Sequence, residues 1–190
     1  MNIGLYFGSF NPIHIGHLII ANHVVSNTDL KQVWLVISPQ NPLKPSSVLL
    51  NEYHRLHLVQ KAIEDNPHLK ASDIEFKLPK PSYTIDTLTY LKEKYPTHNF
   101  TVIMGSDSFT NLKNWKNYQL ILRDYDIVIY NRPGFEINPE SLNKRITILN
   151  APLLEISATA IRKNIKEGKS IQYLVSEIVN KEISDTGYYK

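Results

Sequence analysis

Strand-like and helix-like segments alternate along almost the whole of this chain, and few folds accept that order. Asn2–Phe7 is a short apolar segment ending at Gly8, and an amphipathic stretch runs from about Ile15 to Ser26. Gln32–Ser38 is rich in β-branched and aromatic residues and stops at Pro39, as a second strand does. Pro39, Pro42 and Pro45 then enforce a loop. Asn51 is placed to cap a helix carrying Leu56, Val59 and Ile63 on one face. Asp73–Leu78 reads as a third strand, and Thr84 or Ser82 as the cap of a helix with Ile85, Leu88 and Leu91, ended by Pro96. Phe100–Met104, Asp126–Asn131 and Arg145–Leu149 read as further strands, followed by helices over about Ser157–Glu167 and Ile171–Ile183.

Such alternation predicts an α/β fold, a Rossmann-like doubly wound parallel sheet with helices on both faces and a helical C-terminal segment. Ligands of these sheets bind beyond the carboxyl ends of the strands, so the loops after Phe7, Ser38 and Met104 are the ones to inspect. There is no internal repeat or linker. The expectation is one domain over residues 1–190, with its helical C-terminal part at about 157–190.

Composition narrows the function mainly by exclusion. With no cysteine the chain has no disulfide, thiolate nucleophile or zinc ribbon. Apolar runs such as Leu18–Ala21 and Ile127–Tyr130 fall far short of the roughly 20 residues that cross a bilayer. No membrane association is expected, and the absence of a secretory pattern points to the cytoplasm. A net charge of +3 suits an anionic ligand without requiring one. No Lys/Arg run interleaved with aromatics marks a nucleic-acid surface, so none is expected. Nothing in the sequence sets the oligomeric state.

The most informative loop is the first, Gly8-Ser9-Phe10-Asn11-Pro12-Ile13-His14-Ile15-Gly16-His17, between a strand and a helix. Unpaired N–H groups and the helix dipole favour anions there. Gly8 and Gly16 admit phosphate or ribose close to the backbone, and His14 and His17 are spaced to share a helix face. The glycine spacing is not that of the dinucleotide fingerprint. Gly168-Lys169-Ser170 resembles the end of a P-loop but lacks a preceding strand. The loop holds no Asp, Glu or Cys to complete a metal site with the two histidines, so no protein metal ligand is expected.

His14-Ile15-Gly16-His17 resembles the signature of the HxGH nucleotidyltransferase superfamily, and Ile156-Ser157-Ala158-Thr159-Ala160-Ile161-Arg162 resembles its distal serine/threonine–arginine element. Four more stretches look like the nicotinate mononucleotide adenylyltransferases: Pro81–Leu88, Gly105-Ser106-Asp107-Ser108 with Trp115 beyond it, Arg132-Pro133-Gly134, and the ending Gly187-Tyr188-Tyr189. Three positions depart from that pattern. Leu43 replaces a histidine before Lys44, Lys116 follows Trp115, and Ser176 stands where proline is common.

The resemblance implies attack by the 5′-phosphate of nicotinate mononucleotide on the α-phosphorus of ATP, with Mg²⁺ carried by the ATP. It implies catalysis by His14, His17 and Arg162. ATP would be bound by these three together with Gly8, Ser9, Phe10, Gly105, Asp107, Ile156, Ser157 and Thr159. The acceptor would be held by Asn41, Lys44, Tyr83, Thr84, Asp107 and Trp115. Phosphopantetheine as acceptor is disfavoured by the Pro81–Leu88 segment and Trp115, and a non-catalytic nucleotide sensor by the retention of both histidines and Arg162.

Overall fold

A computed structural model describes residues 1–40, 49–139, 142–152 and 154–190. Six parallel strands form one sheet in the order β3-β2-β1-β4-β5-β6. They are β1 (Asn2–Gly8), β2 (Gln32–Ile37), β3 (Leu69–Ser72), β4 (Asn99–Gly105), β5 (Asp126–Tyr130) and β6 (Ile146–Leu149). The helices are α1 (Ile15–Asn27), α2 (Glu52–Ala62), α3 (Thr84–Lys94), α4 (Ser106–Thr110), α5 (Tyr118–Asp124), α6 (Ala158–Lys166) and α7 (Glu177–Thr186).

The four central strands are apolar on both faces because each face is covered by helices. Successive residues feed opposite layers. Val33, Leu35 and Ile37 join Tyr6, Ile103 and Val128 beneath α1, α2, α6 and α7. Trp34 and Val36 join Ile3, Leu5, Val102, Met104 and Ile129 beneath α3 and α5. Strand order reverses between β1 and β4, which lie side by side in register from Asn2↔Asn99 to Tyr6↔Ile103. The doubly wound expectation is met, and the crevice lies where β1 and β4 end, at Gly8 and Gly105.

Several local expectations are corrected. The third strand is Leu69–Ser72, an edge strand paired only with β2, Val33↔Leu69 to Val36↔Ser72. Four residues with one partner need no long apolar run, so its signal is faint. Asp73–Leu78 instead closes a 3₁₀ turn over Ile74–Lys77, with the Phe76 N–H donating to Asp73 C=O at 2.9 Å. Neither Thr84 nor Ser82 caps α3; Tyr83 occupies that position, and the Ser82 hydroxyl donates to Glu75 at 2.6 Å.

The last helix begins at Glu177, with Ser176 in the cap position, rather than at Ile171. Residues 171–175 form a turn with Tyr173 at φ 67°, and Leu174 C=O accepts the first N–H of α1 from Ile15 at 2.9 Å. That carbonyl satisfies a helix-start donor that has no partner within its own helix. Helix α1 is apolar over most of its girth, with Gly16, Ile20, Ala21 and Val24 buried, and its amphipathic character is correspondingly weak.

Candidate active site

The loop after β1 carries the sheet's last apolar residues over the crevice. Phe10, at φ 43°, is buried beside Gly8, where an added Cβ would stand 2.8 Å from the Phe10 ring. His14 caps α1 and is 6% exposed. Its ring stacks on that of His17 with centroids 3.6 Å apart and planes 25° from parallel. A Cβ at position 16 would press on the His14 ring at 3.2 Å, which accounts for the glycine between the histidines.

The His14 backbone N–H donates to His17 Nδ1 at 3.3 Å. That bond makes Nδ1 the acceptor and assigns the ring proton of neutral His17 to Nε2. Phe10 meets the His17 ring edge-on at 5.0 Å. His14 Nδ1 is buried and has no hydrogen-bond partner among the described residues.

Burial, and then the positive charge of Arg132, push the His14 imidazole down to about 4 from 6.5. Unfolded chains take up this proton below pH 6.5, whereas the native state resists it until about pH 4. Stability held at neutral pH is therefore lost as pH falls across that window, by about 3 kcal/mol. Urea denaturation of His14→Asn from pH 7 to pH 4 is expected to show a shallower fall than the parent chain. An identical slope contradicts the assignment.

Arg162, on α6, reaches back to this loop. Its Nη1 donates to Asn11 C=O at 2.7 Å and its Nη2 to Thr159 Oγ1 at 3.2 Å. Ser157 caps α6 by accepting from the Ala160 N–H at 3.1 Å. Ile156 packs its side chain against the core layer under α1. The distal element and the first loop thus meet in space.

A cleft of about 790 Å³ opens beside this loop at the carboxyl edge of the sheet. Its walls include Gly8, Ser9, Tyr83, Thr84, Gly105, Asp107 and Trp115 among the residues expected from the sequence. Phe10, His14, His17, Ile156, Ser157, Thr159 and Arg162 are not in its walls, so the expected residues form two adjoining groups sharing Gly8 and Ser9. Asn41, Leu43 and Lys44 lie outside the described residues. A second hollow, about 610 Å³, runs along α7 beside Tyr173, and no residue of the sheet lines it among those described. The rule that parallel sheets bind ligands at the strand ends favours the first.

At Gly105 a Cβ would overlap the Asp107 carboxylate and stand 3.1 Å from Arg132 Nε. Asp107 lies 3.5 Å from Arg132 Nε, an ion pair without hydrogen-bond geometry. Arg132 Nη2 donates to the Tyr130 hydroxyl at 3.2 Å, and that hydroxyl lies 3.2 Å from the Tyr6 hydroxyl. Burial first, and then Tyr130, drive the Tyr6 phenol well above its ordinary value, so it stays protonated. Lys116 sits in the cleft wall, 2.8 Å from Asp86 and 4.9 Å from the Tyr83 ring centre, placing a cation on the rim.

Sequence reasoning assigned no site role to Tyr6, Arg55, Glu75, Tyr130 or Arg132. Arg132 follows the end of β5, in the Arg132-Pro133-Gly134 stretch that resembles the family but carried no site role. Arg55 could have been noticed as a cation on the stripe of Leu58 and Val59. Among the described residues no group of three or more His, Asp or Glu could hold a metal ion, and no helix is long and apolar enough to cross a membrane.

Residues 5–164 match the cytidylyltransferase-like family. With the His14–His17 loop at the switch point of a doubly wound sheet, this defines a nucleotidyltransferase. The “Probable nicotinate-nucleotide adenylyltransferase” of Flavobacterium psychrophilum is 53% identical over 192 residues, covering 100% of both chains. Its namesake from Cytophaga hutchinsonii is 52% identical over 189 residues, covering 100% of this chain and 98% of the relative. Among solved structures, the Plasmodium falciparum nicotinic acid mononucleotide adenylyltransferase complexed with NaAD superposes with a TM-score of 0.84 at 23% identity. It covers 99% of this chain and 97% of its own. The chain belongs to the nicotinate-nucleotide adenylyltransferase family.

Proposed function

We propose that this chain transfers the adenylyl group of ATP to nicotinate mononucleotide, giving nicotinate adenine dinucleotide and pyrophosphate in the synthesis of NAD. The observation that carries the reading is the junction of two groups at the crevice. The histidine-bearing loop and Arg162 stand on one side, and the cleft walled by Tyr83, Thr84 and Trp115 on the other, with Gly8 and Ser9 shared. One group suits a triphosphate and the other a pyridine ring with its carboxylate.

In this reading an oxygen of the acceptor phosphate forms a bond to the α-phosphorus as the bond to pyrophosphate breaks. That phosphate has a second pKa near 6 and is already anionic at neutral pH, so no general base is needed. Catalysis comes from alignment and from stabilising charge on the leaving group. His17 Nε2–H donates to the α-phosphate, with His14 beside it. Arg162, Ser157 and Thr159 hold the β- and γ-phosphates. Gly8, Ser9, Phe10, Gly105 and Ile156 line the nucleotide's path, and Asp107 accepts from ribose hydroxyls. The family resemblance assigns Asn41 and Lys44 to the acceptor; Tyr83 and Thr84 receive the nicotinate carboxylate, and Trp115 stacks on the pyridine.

Mg²⁺ fits this site as the ATP complex. Asp107 is paired with Arg132 and Glu75 is enclosed by hydroxyls, leaving triphosphate oxygens and water as its ligands. Residues 1–190 act as one unit in the cytoplasm, without nucleic acid or membrane.

Of the two tryptophans, Trp34 is 5% exposed and faces the core, whereas Trp115 lines the cleft. Nicotinate mononucleotide is expected to quench tryptophan fluorescence in the parent chain and not in Trp115→Phe. Trp115→Ala is expected to raise the acceptor KM about tenfold, in line with base–aromatic stacking of ~1–3 kcal/mol. Equal quenching in Trp115→Phe removes Trp115 from the acceptor pocket.

A further inference from the structure

Two charged side chains among the most buried in the molecule lie in or behind the cleft wall, and the proposed chemistry uses neither. Arg55 is 0% exposed and Glu75 is 1% exposed. Arg55, on α2, spends its guanidinium on backbone carbonyls of separate segments. Nε donates to Leu50 C=O at 2.8 Å, and Nη1 to Ser9 C=O at 2.5 Å and to Ser38 C=O at 2.9 Å. Nη2 donates to Pro39 C=O at 3.2 Å. Among the described residues no carboxylate forms an ion pair with it. Its charge is met by carbonyl dipoles from the loop after β1, the loop after β2 and the start of α2.

Glu75 stands on the far side of Ser38. Its carboxylate accepts from Ser82 Oγ at 2.6 Å and Thr87 Oγ1 at 2.9 Å, and from the Ser38 hydroxyl as well. Ser38 therefore gives its carbonyl to Arg55 and its hydroxyl to Glu75. A continuous hydrogen-bonded path runs from Ser9 through Arg55, Ser38 and Glu75 to Ser82 and Thr87. Ser9, Ser38, Glu75 and Ser82 all line the cleft.

We propose that Arg55 and Glu75, joined through Ser38, are positioning residues that fix the donor loop, the loop after β2 and the nicotinate-side loop relative to one another, so that bound acceptor and bound ATP are aligned for transfer. This rests on the adenylyl-transfer reading above. A buried guanidinium serving a single fold element needs no carbonyls from two substrate loops, and a buried carboxylate serving one element needs no hydroxyls from three segments. What these side chains uniquely supply is a fixed distance between loops. Displacing aligned reactants by about 1 Å can cost on the order of 10²-fold in rate.

The test uses the full chain with Arg55→Lys, Arg55→Met and Glu75→Gln. Thermal melts give the folded fraction, calorimetry gives the Kd of ATP and of nicotinate mononucleotide separately, and kcat is taken at saturation with both. Lysine keeps charge and stem but not the planar fork, so it is expected not to restore the geometry. For folded Arg55→Lys and Glu75→Gln the expectation is kcat lowered about 10- to 50-fold with each single-substrate Kd within about threefold of the parent. A kcat per folded molecule equal to the parent's overturns the inference, leaving a role in stability alone. Full recovery of kcat in Arg55→Lys with loss in Arg55→Met also overturns it, since charge rather than the fork would then be what matters. Absence of turnover in the parent chain with nicotinate mononucleotide would instead strike the adenylyl-transfer reading itself.

Discussion

His17→Ala is expected to lower kcat by about 10²- to 10³-fold, the cost of deleting one preorganised donor to developing charge. The ring is oriented before substrate arrives. The His14 N–H occupies its Nδ1, the His14 ring stacks on one face, and Phe10 and Tyr6 meet it at steep angles, so little reorganisation accompanies the reaction. Losing those edge contacts removes about 1 kcal/mol of stability, a shift of ~2–4 °C in the thermal midpoint. Steady-state kinetics and thermal melts on one preparation separate the two effects. Near-parental turnover in the folded variant removes His17 from the chemistry.

Arg162→Ala is expected to reduce kcat/KM for ATP by about 10²-fold while changing the acceptor KM far less. The guanidinium already gives one N–H to Asn11 C=O and another to Thr159, which fixes the plane of its fork against the first loop. Charge-assisted bonds to phosphate are worth about twice neutral ones, and a bidentate fork adds geometry that an ammonium lacks. Arg162→Lys is therefore expected to recover only a small part of the loss. Initial rates over a grid of ATP and acceptor concentrations decide the matter. An unchanged ATP dependence contradicts the assignment, and an equal loss for both substrates points to loop collapse instead.

The parts of this fold legible in the sequence are those encoded locally. β1, β2, β4 and β5 carry apolar residues for two covered faces, so each shows as a run, and the first loop's glycines and histidines are contiguous. Leu69–Ser72 was illegible because an edge strand of four residues needs few apolar side chains. The turn at 171–175 was illegible because its purpose, an acceptor for the Ile15 N–H, lies at the other end of the chain. The same holds in the site. Tyr6 and Tyr130 are 124 residues apart, Arg55 and Ser9 are 46 apart, and Glu75 is defined by hydroxyls on three segments. Helical spacing places Arg55 on the buried stripe of α2, but only the fold shows which carbonyls it meets.

The most direct test of the central claim is the product formed by the purified chain with Mg²⁺ and ATP. Nicotinate mononucleotide, nicotinamide mononucleotide and phosphopantetheine are supplied separately as acceptors, and products are identified by mass. The prediction is nicotinate adenine dinucleotide with stoichiometric pyrophosphate, formed fastest from the nicotinate acceptor because, in the proposed pocket, two donors at Tyr83 and Thr84 would be met by its two carboxylate oxygens and only in part by an amide. Adenylylation of phosphopantetheine alone, or ATP binding with no transfer to any acceptor, would contradict it.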